Sequence, residues 1–395
     1  MLFFFFFFFC FFFLQGNTSV DGKEYHSLPQ SNCDPFLESN LAKSIQTIMY
    51  CLLMVASFVG NLLVIIIISR NQKMHTAVTN VLIANMSLSD ILLVVFAIPR
   101  QIKRIYLPYR MWLADGVFGL ITCKLVQFVL DLSMIVSVIS LILIAFVRFF
   151  SVVYPMKKQP FQKKKKTFFA LIVFTWITGA SFPSIYFYKY RITYKDKVPY
   201  CISTWKPAFD NAKALKVQYP IFLVLFNVIP FILLATLYSI IIASLGKQNK
   251  NQCLADRVRQ FRAREYRRVT YMLVTVASVF LVAWTPAAVY AFLFVYVWKH
   301  PFAIPCYAKH LEFIATVLPC GYSVFNPIIY YVFVQNFKLG LRALLRSCMQ
   351  FHLCRGKSIS VREDETSYAV RYNSVATNSI TFLSIRSLAK DEQFQ

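Results

Sequence analysis

The chain has 395 residues, 58% of them apolar and only 15% charged, with a formal net charge of +25. A soluble domain carries about a quarter charged residues, so the composition excludes an ordinary soluble fold and points to lipid as the solvent. Such a charge on a soluble protein would suggest nucleic acid. Here the basic residues fall between apolar runs, where anionic lipid headgroups are the natural partner and no nucleic acid is implied.

In chain order, Met1–Leu14 is almost pure Phe. It reads either as a signal peptide over about residues 1–15, without the usual charged start, or as a low-complexity artefact. Asn17-Thr18-Ser19 is a glycosylation sequon in a tail expected over 1–43. Seven apolar stretches follow near 44–70, 77–105, 119–152, 167–188, 216–245, 267–298 and 309–334. Each can span about 30 Å of hydrocarbon as a helix, the form required where lipid offers the backbone no partner. The expectation is an all-α, integral membrane bundle of seven transmembrane helices over 44–334.

Lys and Arg set the orientation. Arg70, Lys73, Lys157, Lys158, Lys163–Lys166 and the run Lys247–Arg268 share one side, expected to be cytoplasmic. The N-terminus then lies outside the cell and the C-terminus inside. The 189–216 loop is also basic and runs against the rule. After the seventh span, 335–350 alternates apolar and basic residues at helical spacing, which suits a short amphipathic eighth helix on the inner leaflet. Cys348 and Cys354 are either palmitoylation candidates or unmodified thiols. The tail 351–395 is polar, rich in Ser and Thr, and expected to be disordered.

Polar groups at membrane depth need an explanation. Asp90 in the second span, Asn61 in the first and Asn326 in the seventh fall near one level. Ser137, about 16 Å along the third helix from Arg148, can join them. A water or a sodium cation, held by Asp90 and Ser137, would neutralise the carboxylate. The set reads as an activation switch or as a purely structural hydrogen-bond network. Pro99, Pro183, Pro230, Pro286 and Pro327 each remove a backbone donor and kink their helix. Pro327 frees the carbonyl of Ser323, and Pro286 that of Val282. Arg148 near the inner end of the third span is either a headgroup anchor or a docking point for a partner. Cys123 and Cys201 are placed to bridge over the bundle's mouth. Cys33 and Cys306 offer a second bridge. The ten cysteines include no Cys-x-x-Cys pair, so a zinc site is not expected.

Taken together, these residues resemble the rhodopsin-like (class A) G-protein-coupled receptor family from about residue 44 to 350. Gly60-Asn61, Leu88-Ser89-Asp90, Trp112 before Cys123, Trp176, Pro230 with Tyr238, Ala283-Trp284-Thr285-Pro286 and Asn326-Pro327-Ile328-Ile329-Tyr330 stand in the family's order, followed by Phe337. The resemblance implies a receptor rather than an enzyme, at the plasma membrane, in which an outside ligand shifts a two-state bundle. Trp284 and Pro286 would lie below the ligand, and Asn326, Tyr330 and Tyr238 would rearrange around Arg148. A heterotrimeric G protein would enter the opened inner cleft, and a receptor kinase and arrestin would act on the tail. The sequence departs from the family at Val147-Arg148-Phe149, where an Asp-Arg-Tyr is usual, and at Tyr322, where an asparagine often supports a sodium site. The first departure implies a shallower resting state and raised basal signalling.

The ligand is narrowed by position. Cys320 occupies the place of the retinal lysine, and Leu130 that of the amine-receptor aspartate, with Asp131 about 100° further round the helix. A peptide is the first reading, nearest to receptors of the neuropeptide Y, neuropeptide FF and tachykinin kind. A biogenic amine or other small molecule is the alternative. The loop after the fourth span is expected to form a strand pair over the pocket. Asp131, Glu312, Trp284, Gln127 and Arg100 are the pocket candidates. Lys103, Arg104, Lys189, Arg191 and Lys195 can meet acidic groups of a ligand. A transporter would want paired repeats, and an intramembrane enzyme a His-Glu-x-x-His or a buried nucleophile–base pair. Neither appears in the sequence.

Overall fold

A computed structural model describes residues 39–108, 110–154, 165–250, 257–298 and 307–355. The bundle begins with α1 (Asn40–Arg70), opened by Ser39, whose hydroxyl accepts from the N–H of Ala42 at 3.2 Å. After a helical turn at Gln72–His75 come α2 (Val78–Tyr106) and α3 (Gly116–Val153). The fourth span is broken. α4 (Lys165–Ser181) gives way at Pro183 to a tighter turn (Pro183–Ile185) and a helical turn (Tyr186–Lys189), bent by 42° from the segment before it. The missing N–H and fixed φ of Pro183 account for the break.

α5 runs Asn211–Leu223, widens into a π turn at Val224–Val228 and continues as Ile229–Lys250. The wide turn directly precedes Pro230, whose ring cannot donate to a regular turn. α6 (Arg257–Phe292) ends in a second π turn, Leu293–Val297. α7 (Tyr307–Phe333) contains Pro319 and Pro327, and α8 (Gln335–Arg355) follows. Six of these helices are long and apolar enough to cross a membrane, and the bent fourth segment makes a seventh. The sequence reading overlooked Pro220 in α5 and Pro319 in α7, both inside helices.

Between the fourth and fifth spans lies a hairpin, β1 (Tyr190–Lys195) with β2 (Val198–Ser203), antiparallel from Tyr190↔Ser203 to Lys195↔Val198. Its two-residue turn, Asp196-Lys197, has positive φ at both positions (51° and 64°). That matches the twist of a hairpin. A disulfide joins Cys201 on β2 to Cys123 on α3. The loop before α3 adds backbone bonds to the same strand: Cys201 N–H donates to Arg110 at 2.9 Å, and Trp112 N–H to Pro199 at 2.8 Å.

Contacts group the chain up to Leu341 as one unit, and the residues from Arg342 on as another. In the second unit Arg342, Leu345 and Arg346 are exposed. In the first, a buried cluster of Tyr50, Met54, Leu93, Val94, Ala97, Ile98 and Cys320 packs α1, α2 and α7 together. Asn85 ties three helices: its amide donates to Ser140 on α3 (3.0 Å) and Thr175 on α4 (3.1 Å). Its carbonyl accepts from the indole N–H of Trp176 (2.9 Å). Each of these groups would be an unpaired dipole in hydrocarbon without the others.

Gly60 marks a close crossing of α1 and α7. A Cβ there would sit 3.1 Å from Cγ of Pro327. The pyrrolidine ring is rigid, so the neighbour has little room to give. Gly60→Val is expected to destabilise the bundle by about 2 kcal/mol through overpacking. Replacing Gly itself would return at most about 1 kcal/mol of helix propensity. A lower thermal midpoint for the purified variant in detergent is the check; an unchanged or higher midpoint would refute the contact.

Candidate functional site

The buried polar centre is assembled from four helices. On α7, Asn326 donates its amide to Asp90 Oδ2 on α2 at 2.7 Å. Ser137 on α3 approaches Asp90 Oδ1 at 3.5 Å, and its oxygen lies 2.8 Å from the hydroxyl of Ser89. Asn61 on α1 donates its amide to the carbonyl of Ser323 at 2.9 Å, and to that of Ser57 at 2.9 Å. The Ser323 carbonyl is the one that Pro327 leaves without its helical donor. The proline therefore creates the acceptor that Asn61 uses. Asp90, Asn61, Ser137 and Asn326 thus lie in one buried layer, as their depths in the sequence suggested. Ser57, Ser89 and Ser323 belong to it too: Ser57 was missed, while Ser89 and the Ser323 carbonyl were noted without being placed in the layer. Their signal was spacing alone, because a serine in a membrane helix carries no charge to explain.

The donor set is a carboxylate and hydroxyls, with the side-chain carbonyls of Asn61 and Asn326 buried and unbonded. Hard oxygen ligands of this kind fit a small cation such as sodium. Among the described residues no cluster of three or more His, Cys, Asp or Glu side chains could hold a transition metal.

Further along the bundle, Trp284 on α6 stacks obliquely on Phe280 (6.0 Å between ring centres). Phe280 meets Tyr322 edge-on at 5.3 Å. Pro286 lies two residues beyond Trp284 inside the same helix. Tyr238 and Tyr330 are buried, and the Tyr330 ring stacks on Phe337 at 5.9 Å. Arg148 on α3 is half-buried, and the residue before it, Val147, is packed in the core.

At the hairpin end the charged residues are brought together in pairs. Arg104 on α2 is ion-paired with Glu312 on α7. Arg100 donates to Gln127 on α3 at 2.6 Å. Asp131 accepts from the hydroxyl of Tyr186, in the bent part of the fourth span. Lys189 is buried, bonded to Gln218 on α5 at 2.8 Å, and lies over the rings of Trp205 (5.5 Å) and Tyr186 (5.7 Å). Lys103 donates to the Met111 carbonyl at 2.6 Å and sits 4.5 Å above Trp112. Arg191 lies over Tyr188, and Lys195 at the hairpin tip is exposed. Asp115, which caps α3, accepts from Tyr194 of the hairpin and from the Gly116 N–H. Those donors hold its carboxyl below the usual carboxylate range. Sequence reasoning named Arg104 and Glu312 as separate ligand contacts; the structure makes them partners. Tyr186 and Gln218 were not foreseen, since neither carries a charge or motif.

Several expectations fall outside the described residues: Asn17, Cys33, Cys306 and the tail beyond 355. Cys348 and Cys354 lie on α8, with side chains outside the described set.

Comparison with known proteins agrees with this architecture. The family model of the 7 transmembrane receptor (rhodopsin family) matches residues 60–330. Neuropeptide Y receptor type 6 of Mus musculus is 28% identical over 327 residues, covering 78% of this chain and 82% of the relative. Neuropeptide FF receptor 2 of Rattus norvegicus is 29% identical over 315 residues, covering 76% and 72%. Galanin receptor 2a of Danio rerio is 26% identical over 298 residues, covering 75% and 77%. A match that begins at Gly60, which meets Pro327, and ends at Tyr330 takes in Asn61, Asp90, Ser137 and Asn326, and this chain belongs to the rhodopsin family of seven-transmembrane receptors.

Proposed function

We propose that this receptor binds an extracellular peptide and activates a heterotrimeric G protein at the plasma membrane, with its N-terminus outside the cell. The observation that carries the peptide reading is the company it keeps. The relatives it resembles over about three quarters of its length are named for neuropeptide Y, neuropeptide FF and galanin. The mouth supports it. Arg100, Lys103, Arg104, Arg110, Lys189, Arg191, Lys195 and Lys197 outnumber Asp115, Asp131, Asp196 and Glu312 among the described residues of the hairpin end, so an extended ligand with acidic groups finds complementary charge. An amine receptor is disfavoured because Leu130 holds the position where its aspartate would be, and the neighbouring Asp131 is already engaged by Tyr186.

In the proposed mechanism the ligand seats above Trp284 and favours one of two packings of the bundle. Pro286 lets the far end of α6 move, and the Asn326–Pro327–Tyr330 turn and Tyr238 regroup around Arg148. The G protein then docks at Arg148 and the basic first turns of α6, Arg257 to Arg268. Asp90, Ser137 and Ser89 would hold a sodium ion, which supplies charge neutralisation to the carboxylate in one packing. The domain plan carries over: an outer tail to about residue 43, the bundle to 334, α8 on the inner leaflet with Cys348 and Cys354 as palmitoylation sites, and a Ser/Thr-rich tail for kinase and arrestin. Asn17 would be glycosylated, and Cys33 would bridge to Cys306.

Guanine-nucleotide exchange on a co-expressed G protein is the test. A set of amidated and acidic peptides should raise exchange several-fold in cells expressing the receptor. Substrate uptake without nucleotide exchange would favour a transporter instead.

Val147 removes the carboxylate that would otherwise clasp Arg148, so basal exchange should exceed that of receptor-free membranes. Val147→Asp should lower it about tenfold, the effect of about 1.4 kcal/mol on a two-state balance. Basal silence in the natural chain would contradict the missing clasp.

Replacing sodium by a large organic cation should change basal exchange in the natural chain and leave Asp90→Asn unaffected. Equal sodium sensitivity in both would remove Asp90 from the cation site.

A further inference from the structure

A cavity lies between the bent fourth span and α5, with a volume of about 790 Å³. Roughly 300–1,000 Å³ is the usual range for a small-molecule site. Its origin is legible. The break at Pro183 turns the end of the fourth span by 42°, which opens a wedge against α5. Phe182, at the break, meets Phe222 and Phe226 at 5.3 and 5.4 Å and closes the wedge on one side. Along α5 the wall is formed by Lys213, Ala214, Val217, Gln218 and Ile221, one helical stripe that is charged at its start and apolar further on. From Lys213 to Ile221 the stripe descends about 12 Å.

The wedge opens outward along α5, beside the Lys189–Gln218 and Lys189–Trp205 contacts of the hairpin end. Val217 is 60% exposed and Ile221 46%, both on a membrane-spanning helix. The charges sit only at the hairpin end, where a lipid headgroup would lie. Lys213 has no ion-pair or hydrogen-bond partner for its ammonium among the described residues. Asp210 accepts the Lys213 backbone N–H at 2.9 Å as the helix cap. Beside Asp210, the ring of Phe209 is 61% exposed. A cation site, an anion site and an apolar channel therefore follow one another on one wall.

We infer that this wedge binds a zwitterionic phospholipid of the phosphocholine type, with its phosphate on Lys213, its quaternary ammonium against Asp210 and the face of Phe209, and an acyl chain along Val217, Ile221 and Phe182. A carboxylate and an aromatic face together suit a quaternary ammonium, which cannot donate a hydrogen bond. Lys213 supplies a charge-assisted contact to phosphate. An anionic headgroup would set a second negative charge beside Asp210, and a sterol would leave Lys213 unused.

Native mass spectrometry of the full-length receptor in detergent tests this, with dioleoyl phosphatidylcholine, dioleoyl phosphatidylglycerol and cholesterol supplied in equal amounts. The natural chain should retain phosphatidylcholine in preference to the other two. Lys213→Ala, on an exposed position that the fold does not need, should weaken retention about tenfold. Ala214→Trp, which fills the wedge, should abolish it. Ile232→Trp, on an exposed face of α5 outside the wedge, should change nothing. Equal retention in the natural chain and Lys213→Ala would overturn the assignment. So would preference for phosphatidylglycerol or cholesterol, or no retained lipid at all. If Ala214→Trp lowers the thermal midpoint, the Lys213→Ala comparison decides alone.

Discussion

Asn61 donates to the carbonyl of Ser323, which Pro327 has stripped of its helical donor, and Gly60 beside it leaves room for the proline ring. Much of the polar centre follows from that contact. It fixes α1 against α7 at one depth, and Asn326, one residue before the proline, is thereby held where its amide reaches Asp90. In water a lost helical bond is replaced by solvent. In hydrocarbon it must be replaced by the protein, so a proline in one helix specifies an amide in another. The same constraint explains Asn85, which would be costly alone and instead joins Ser140, Thr175 and Trp176 across three helices.

The hairpin end obeys a different rule. There the strand pair is fastened twice, to α3 by the Cys123–Cys201 disulfide and to the loop before it by the backbone bonds Cys201 N–H to Arg110 and Trp112 N–H to Pro199. Tyr194 adds a third tie to Asp115. Ties of this kind hold the hairpin in place against α3. Beneath it the charges are matched with neutral or opposite partners: Arg104 with Glu312, Arg100 with Gln127, Lys189 with Gln218, Asp131 with Tyr186. A ligand reaching these groups exchanges existing bonds for its own, which favours a ligand with several polar contacts over one with a single charge.

Breaks in the helices do local work. The two π turns and the bend at Pro183 interrupt spans that composition alone would draw as continuous. The bend opens the wedge against α5. The π turn ahead of Pro230 keeps α5 continuous past a residue that cannot donate.

Read without coordinates, the sequence determined that the chain spans a membrane seven times, because lipid permits only long apolar helices and seven stretches qualify. It placed Asp90, Asn61 and Asn326 near one depth, where each is too costly to leave unpaired, without saying which group each would bond. It also pointed to a strand pair after the fourth span and to the pairing of Cys123 with Cys201, both present in the structure. Only the tertiary structure decided which partner each mouth residue takes. Arg104 and Glu312 are 208 positions apart, and nothing local favours their meeting over a meeting with a ligand. The same holds for Tyr186 with Asp131, where a tyrosine gives no hint of its partner until the bend at Pro183 turns it inward. Helical period and depth are one-dimensional properties that a sequence carries along its length. The rotation of each helix about its axis is set by packing against several others at once, and it exists only when the bundle is assembled.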